Sequence, residues 1–392
     1  MTDALVSRRH SPPLDGAEGA PPDNARMHAL DLLRGACSIG VAAYHLLNWQ
    51  SVTKLDAIGL YAVYVFFVLS GASITFAYMP KLRTLNDLGS FIALRFVRLA
   101  PLYVTVLALA MAYRLVALDD EALALKLTSV TANLTMLFGL GNPGATALVI
   151  GGWSLGIEFL FYLLFPFFLL TLSFVVSSPA KLAVWLGIAF ALQMSFVHGV
   201  LEFGKADFSE KVFEYTQFAA FLAYFAGGCA VGAWLRSGSR KPWPAWVWIP
   251  AVLLLCGLFH TGEHSQSTLL TGWQGGVRAA VTVLLVAVWS RLPVCGVMRP
   301  VATRLGDASY GLYLLHPLAF HAMALLGLAS LGDAVLSGWG GAAALTTVVI
   351  AASFLSALVF HHLVEAPLLA AGRARFLFGE DRQRAGSHPM SS

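Results

Sequence analysis

From residue 28 onward the chain alternates long apolar runs with short polar breaks. A run of about 20 apolar residues, rising about 1.5 Å each, crosses the roughly 30 Å hydrocarbon core of a bilayer. Ten runs are long enough, or nearly so: 29–49, 58–79, 99–118, 153–176, 180–201, 216–235, 245–260, 276–292, 309–330 and 340–363. The seventh and eighth are short. In hydrocarbon a segment must satisfy its own N–H and C=O groups, so each run reads as an α-helix. The expected fold is all-α, a polytopic integral membrane protein of about ten transmembrane helices. Composition agrees: 58% of the 392 residues are hydrophobic, 12% are charged, and the mean hydropathy is +0.72. A soluble domain carries about 25% charged residues. Disordered, collagen-like and ordinary soluble classes are excluded.

The flanks differ. Residues 1–27 are polar, rich in Pro, Gly and Ala, and lack the apolar core of a signal peptide, so they read as a disordered tail. Residues 28–367 form the membrane domain, and 368–392 a tail too short for a domain. Residues 122–140 are moderately apolar but hold Lys126, Asn133 and several threonines; they read as a re-entrant or interfacial helix. With both termini in the cytoplasm, 18 of the 25 Lys and Arg residues fall on the cytoplasmic side, 6 fall outside, and Arg34 lies within the first run. This is the positive-inside pattern, so the net charge of +4 reflects topology and lipid contact, not nucleic acid. Cys37, Cys229, Cys256 and Cys295 show no C-x-x-C spacing and read as buried free thiols.

A charge at the bilayer centre costs at least about 2.5–3.5 kcal/mol, so ionisable residues inside the runs are the first functional candidates. They are Arg34, His45, Glu158 and His316, with Glu365 near a helix end. Arg34 and His45 share the first run on one helix face, about 16 Å apart along the axis. Asp31, three residues before Arg34, is placed to pair with it. Snorkelling by Arg34 and an interhelical hydrogen bond from His45 are the plainer alternatives. Arg95 and Arg98 form R-x-x-R on one helix face in the segment leading into the third run, suited to a bidentate phosphate grip or to lipid headgroups. Glu158, a few residues into the fourth run, is expected at the depth of His45, where it could orient the imidazole. His316 precedes Pro317, which predicts a bend. Glu365 is expected to pair with a cytoplasmic arginine.

Two patterns are weaker. Gly152-Trp153-Ser154-Leu155-Gly156 matches G-x-S-x-G, but a nucleophile elbow needs a preceding strand, which this chain does not offer. His361 and Glu365 have a metal-compatible i, i+4 spacing without a third ligand, so no metal is expected.

Read together, the segments resemble the acyltransferase family 3 membrane proteins. Leu30-Asp31-Leu32-Leu33-Arg34-Gly35 with His45 is similar to their opening, whose signature is an Arg and a His separated by ten residues. Phe66-Phe67-Val68-Leu69-Ser70-Gly71 and Arg95-Phe96-Val97-Arg98-Leu99-Ala100-Pro101 resemble the next two motifs. Trp153-Ser154-Leu155-Gly156-Ile157-Glu158-Phe159, Ser309-Tyr310 through His316-Pro317, and Glu365-Ala366-Pro367 resemble three later ones. Leu32 stands where a Gly is common and Ala72 where an aromatic residue is frequent. The chain resembles the stand-alone type, without a C-terminal hydrolase-like domain.

The resemblance implies transfer of an acyl group, commonly acetyl, from cytoplasmic acyl-CoA to a hydroxyl. The acceptors are mostly surface glycans and sometimes macrolide-type small molecules, and the setting is a bacterial inner membrane. Arg95, Arg98 and Arg34 are then expected to hold the donor phosphates. His45 is the expected general base, Glu158 its orienting carboxylate, and Ser70, Ser154 and Tyr310 candidate oxyanion donors. A transporter or flippase of a glycan or organic anion is the rival reading.

Overall fold

The structure is a computed structural model that describes residues 27–53, 55–117, 127–202, 215–237, 269–327 and 339–376, with the isolated positions 246, 249 and 253. Among the described residues the regular structure is helical, with no strand. The described helices of eight residues or more are α1 (His28–Trp49), α2 (Asp56–Tyr78), α3 (Leu85–Ala117), α4 (Leu127–Leu134), α5 (Gly152–Val175), α6 (Pro179–Phe196), α7 (Leu222–Ser237), α8 (Gly272–Trp289), α9 (Met298–Leu325), α10 (Trp339–Phe360) and α11 (Ala366–Arg375). A π-helical turn, His361–Glu365, joins α10 to α11.

Seven stretches are long and apolar enough to cross a membrane: Ala57–Tyr78, Leu85–Leu115, Gly152–Val175, Pro179–Val200, Phe218–Arg236, Gly272–Trp289 and Trp339–Arg375. Helices α1 and α9 coincide with the first and ninth predicted runs but fall outside these seven. Both carry polar side chains turned into the bundle, among them Asp31 and Ser38 on α1 and Ser309 and His316 on α9. The seventh run, 245–260, lies outside the described residues apart from 246, 249 and 253, as do 1–26 and 377–392. Of the stretch 122–140, residues 127–140 are described, and they form a short helix, α4, and a 3-10 turn, Leu137–Leu140.

Several helices outrun the apolar stretch that announces them. The third run begins at 99, yet α3 begins at Leu85 and carries Arg95 and Arg98 well inside it. The ninth begins at 309, yet α9 begins at Met298. Hydropathy registers the apolar segment and misses charged turns that continue the same helix. Pro317 lies within α9, which runs on as one element to Leu325.

Apolar side chains cover the outside. Val184, Ile188 and Leu192 on α6 and Val348, Leu355 and Val359 on α10 are exposed. Helices this apolar, with exposed flanks, belong in lipid, and the protein is an integral membrane protein.

Lipid tails are as apolar as leucine, so helices here associate by close packing and hydrogen bonding. The tightest seam joins α2 to α7. A methyl added at Gly71 would run into the Phe225 carbonyl, at Gly228 into the Val68 backbone, and at Gly232 into the Ala72 backbone. Gly228 and Gly232 stand four apart, the small-x-x-x-small spacing that lets helix backbones touch. Beside the seam Phe161 stacks on Phe225 at 4.3 Å. Helix α1 lies along α9, where Gly306 leaves room for the Asp31 carboxylate. Cys37 and Cys229 are buried as expected; Cys295 is exposed, because it lies in the link before α9, and Cys256 lies outside the described residues.

Candidate active site

Helices α1, α2, α3, α5 and α9 enclose a cavity of about 270 Å³. Its wall carries Arg34 from α1, Arg95 and Arg98 from α3, Glu158 from α5 and Tyr310 from α9. Residues that lie far apart in the sequence are thus brought to one place, as the intramembrane charges suggested. Three guanidiniums and one carboxylate face a single space.

Each arginine is held differently. Arg34 pairs with Asp31 at 3.6 Å, as the i, i+3 spacing predicts, and donates to Ser73 Oγ at 2.5 Å. Arg98 is ion-paired with Glu365, which is 3% exposed. Arg95 donates to Tyr78 Oη at 2.8 Å and lies over the Tyr78 ring, 4.9 Å from its centroid. Its Nε is buried without a hydrogen-bond partner among the described residues. Arg34 and Arg98 are therefore neutralised by carboxylates, and Arg95 keeps donors for an anion. Both α3 arginines face this cavity, about 15–20 Å along the helix from Leu85.

Glu158 accepts from Ser70 Oγ at 2.9 Å and from the Tyr162 hydroxyl. The spacing of Tyr162, i+4 from Glu158, was a readable signal for this contact. Ser70, one of the expected oxyanion donors, thus donates to a carboxylate here. Tyr310 lines the cavity but donates its hydroxyl to the Leu99 carbonyl at 2.6 Å. Ser154 also lines it; its Oγ lies 2.8 Å from the Tyr313 hydroxyl, and both side chains donate to the Gly151 carbonyl. Gly151 sits before α5 with φ of 75°, a left-handed backbone suited to glycine. Ser154 lies in the first turn of a helix with no strand before it, so no nucleophile elbow is present. Tyr78, Tyr162 and Tyr313 are site residues that sequence reasoning missed; only Tyr313 lay inside a motif read for chemistry.

His45 does not line the cavity. Its Nδ1 lies 2.9 Å from Nε2 of His316, and its ring is nearly parallel to that of Trp49, with centroids 5.2 Å apart. The expected His45–Glu158 pair is not formed. Glu158 points into the α2–α5 contact with Ser70 and Tyr162, while His45 faces α9. His316 takes the place expected for the carboxylate. Tyr313 links the two regions, since it lines the cavity and its ring centroid is 6.4 Å from that of His316. His361 contacts Glu365 at 2.8 Å and Asp307 at 3.8 Å, so the i, i+4 pair serves the ion pair of Arg98.

The sequence profile of the acyltransferase 3 family, described as an acyltransferase domain, matches residues 27–358. The chain belongs to the acyltransferase 3 family. The matched span contains the whole cavity, so this acyltransferase keeps its three arginines, Glu158 and both histidines within the family domain. The chain is similar to the exopolysaccharide production protein ExoZ of Rhizobium meliloti (strain 1021). The two are 27% identical over 323 residues, 81% of this chain and 92% of ExoZ. No solved structure gives a significant match.

Proposed function

We propose that this membrane acyltransferase moves an acyl group, most simply acetyl, from cytoplasmic acyl-CoA to a hydroxyl of a polysaccharide or related glycan, with His45 as general base. The observation that carries this reading is the convergence of Arg34, Arg95 and Arg98 on one cavity in a chain of an acyltransferase family. Coenzyme A brings phosphates, and guanidiniums grip phosphate oxygens in pairs. Arg95, with its unpartnered Nε, is the arginine best placed to do so. At about 270 Å³ the cavity is smaller than a typical small-molecule site of roughly 300–1,000 Å³, so it holds part of the donor. The acyl end reaches His45 past Ser154 and Tyr313.

The acceptor oxygen attacks the thioester carbonyl carbon while its proton passes to the His45 imidazole. The carbon–sulfur bond then breaks, and the departing thiolate takes the proton back. Glu158, among Arg95, Tyr162 and Ser70, sets the charge balance of the cavity. The similarity to ExoZ, an exopolysaccharide production protein, supports a glycan acceptor, and its bacterial source supports a bacterial cytoplasmic membrane as the setting. A macrolide-type acceptor is the alternative substrate.

The test is purified protein with acetyl-CoA and a panel of oligosaccharides, read as free thiol released. Acceptor-dependent release supports the reading. No release across the panel overturns it and returns transport of a glycan or organic anion to first place.

A further inference from the structure

We infer that His316 is a positioning residue that holds His45 in its Nδ1–H tautomer, leaving the lone pair on His45 Nε2 as the proton acceptor. The inference rests on the reading of His45 as the base, and it assigns the atom that does the work and the group that selects it.

The chain of donors starts at a carbonyl. Nδ1 of His316 lies 3.1 Å from the Leu312 carbonyl oxygen. A carbonyl brings no proton, so this nitrogen carries one and donates it. The local sequence favours the arrangement. Pro317 has no N–H, so the Tyr313 carbonyl loses its usual helical donor, and the His316 ring bonds the adjacent Leu312 carbonyl of this turn. His316 is 1% exposed, and a second proton would place a charge in the apolar interior, where charge is strongly disfavoured. The ring is therefore neutral, with its lone pair on Nε2.

That lone pair faces His45 Nδ1 at 2.9 Å, so His45 is the donor in this contact. Its Nδ1 holds the hydrogen and its Nε2 is bare. Among the described residues Nε2 makes no hydrogen bond. Trp49, nearly parallel to the His45 ring, fixes the ring plane. When Nε2 accepts the acceptor proton, the ring becomes an imidazolium and its Nδ1–H bond to His316 becomes charge-assisted, roughly doubling in strength. A neutral imidazole thus stabilises the protonated base without placing an anion beside the reacting thioester.

The experiment is nitrogen NMR of detergent-solubilised full-length protein labelled with ¹⁵N-histidine. The wild type should show one histidine, absent in His45→Ala, with a protonated Nδ1 and a bare Nε2. His316→Ala should lose that tautomer. His316→Gln should keep it, because the amide oxygen can accept from Nδ1–H. A wild-type His45 with its proton on Nε2, or an unchanged tautomer in His316→Ala, overturns the inference. If His316→Ala does not fold, the wild-type and His316→Gln spectra decide.

Kinetics with acetyl-CoA and an oligosaccharide that supports turnover give a second arm. His316→Ala should lower kcat by roughly 10²–10³-fold, within the range of general acid–base effects. The donor KM should stay within about threefold, and His316→Gln should recover part of the loss. Wild-type kcat in His316→Ala while His45→Ala is inactive sinks this inference alone. Wild-type kcat in His45→Ala sinks the base reading itself, whatever the spectra show.

Discussion

Arg98 on α3 is ion-paired with Glu365, whose carboxylate is nearly buried at the junction of α10 and α11. His361 contacts the other carboxylate oxygen at 2.8 Å. A helix end that reads as a cytoplasmic margin thereby supports Arg98, a residue of the cavity wall. Breaking a buried pair from one side leaves the other charge uncompensated, at a cost of about 3–5 kcal/mol. Glu365→Ala should lower the thermal midpoint of the solubilised protein markedly. The double variant Arg98→Met/Glu365→Leu should regain much of the loss. Equal midpoints for wild type and Glu365→Ala would show that the pair does not hold the fold.

Arg95 offers the free donors in the cavity, so its removal should be felt first in donor binding. A hydrogen bond to a charged group contributes about 1.5–3 kcal/mol. Arg95→Ala should raise the KM for acetyl-CoA by roughly tenfold or more with a smaller effect on kcat. An unchanged KM would move the phosphate site away from α3.

Glu158 should behave in the opposite sense. It is an anion beside Arg95 in a space proposed to receive phosphate. Glu158→Gln removes that charge and keeps an acceptor for Ser70 and Tyr162. Donor KM should hold steady or fall, while kcat should drop at least about tenfold as the charge balance around the thioester is lost. A raised KM with unchanged kcat would make Glu158 a binding residue for the donor.

The seam between α2 and α7 should be intolerant of bulk. Gly228→Leu should abolish recovery of folded protein, because the side chain would meet the Val68 backbone. Overpacking of a tight contact typically costs about 1–3 kcal/mol even for small insertions. Gly187→Ala on α6, with no neighbour within 4 Å of the added carbon, is the control and should melt like wild type. Equal behaviour of the two variants would remove the seam as a determinant of stability.

Much of this was legible in the sequence, for physical reasons. Apolar runs announce membrane helices because lipid leaves the backbone no other partner, and described helices lie at every predicted run but the seventh. Arg34 and Glu158 stood out because charge is scarce in the spans, Arg95 and Arg98 by their R-x-x-R spacing, and the four meet in one cavity. The spacing of Asp31 and Arg34 gave their ion pair, and the terminal position of Glu365 suggested its arginine partner. The partner of His45 was not legible. Depth along two helices says how far each side chain lies from the membrane surface, but not which way it faces around the helix axis. Glu158 and His45 were matched on depth alone, and rotation about α5 turns the carboxylate to Ser70 and Tyr162. The starts of α3 and α9 were missed because a helix does not stop where its apolar stretch does.

Two helices joined backbone to backbone leave little room for drift. At Gly71, Gly228 and Gly232 any larger side chain displaces the opposite helix, so these positions are closed to gradual change. Phe161, stacked on Phe225 of α7, and Phe67, against Phe221 just before α7, are held with them. Descendants of such a chain that take a new acceptor have to find their variation elsewhere, on faces of α1, α9 and α10 turned away from the glycines. The seam would then be inherited nearly unaltered while the choice of substrate diversifies around it.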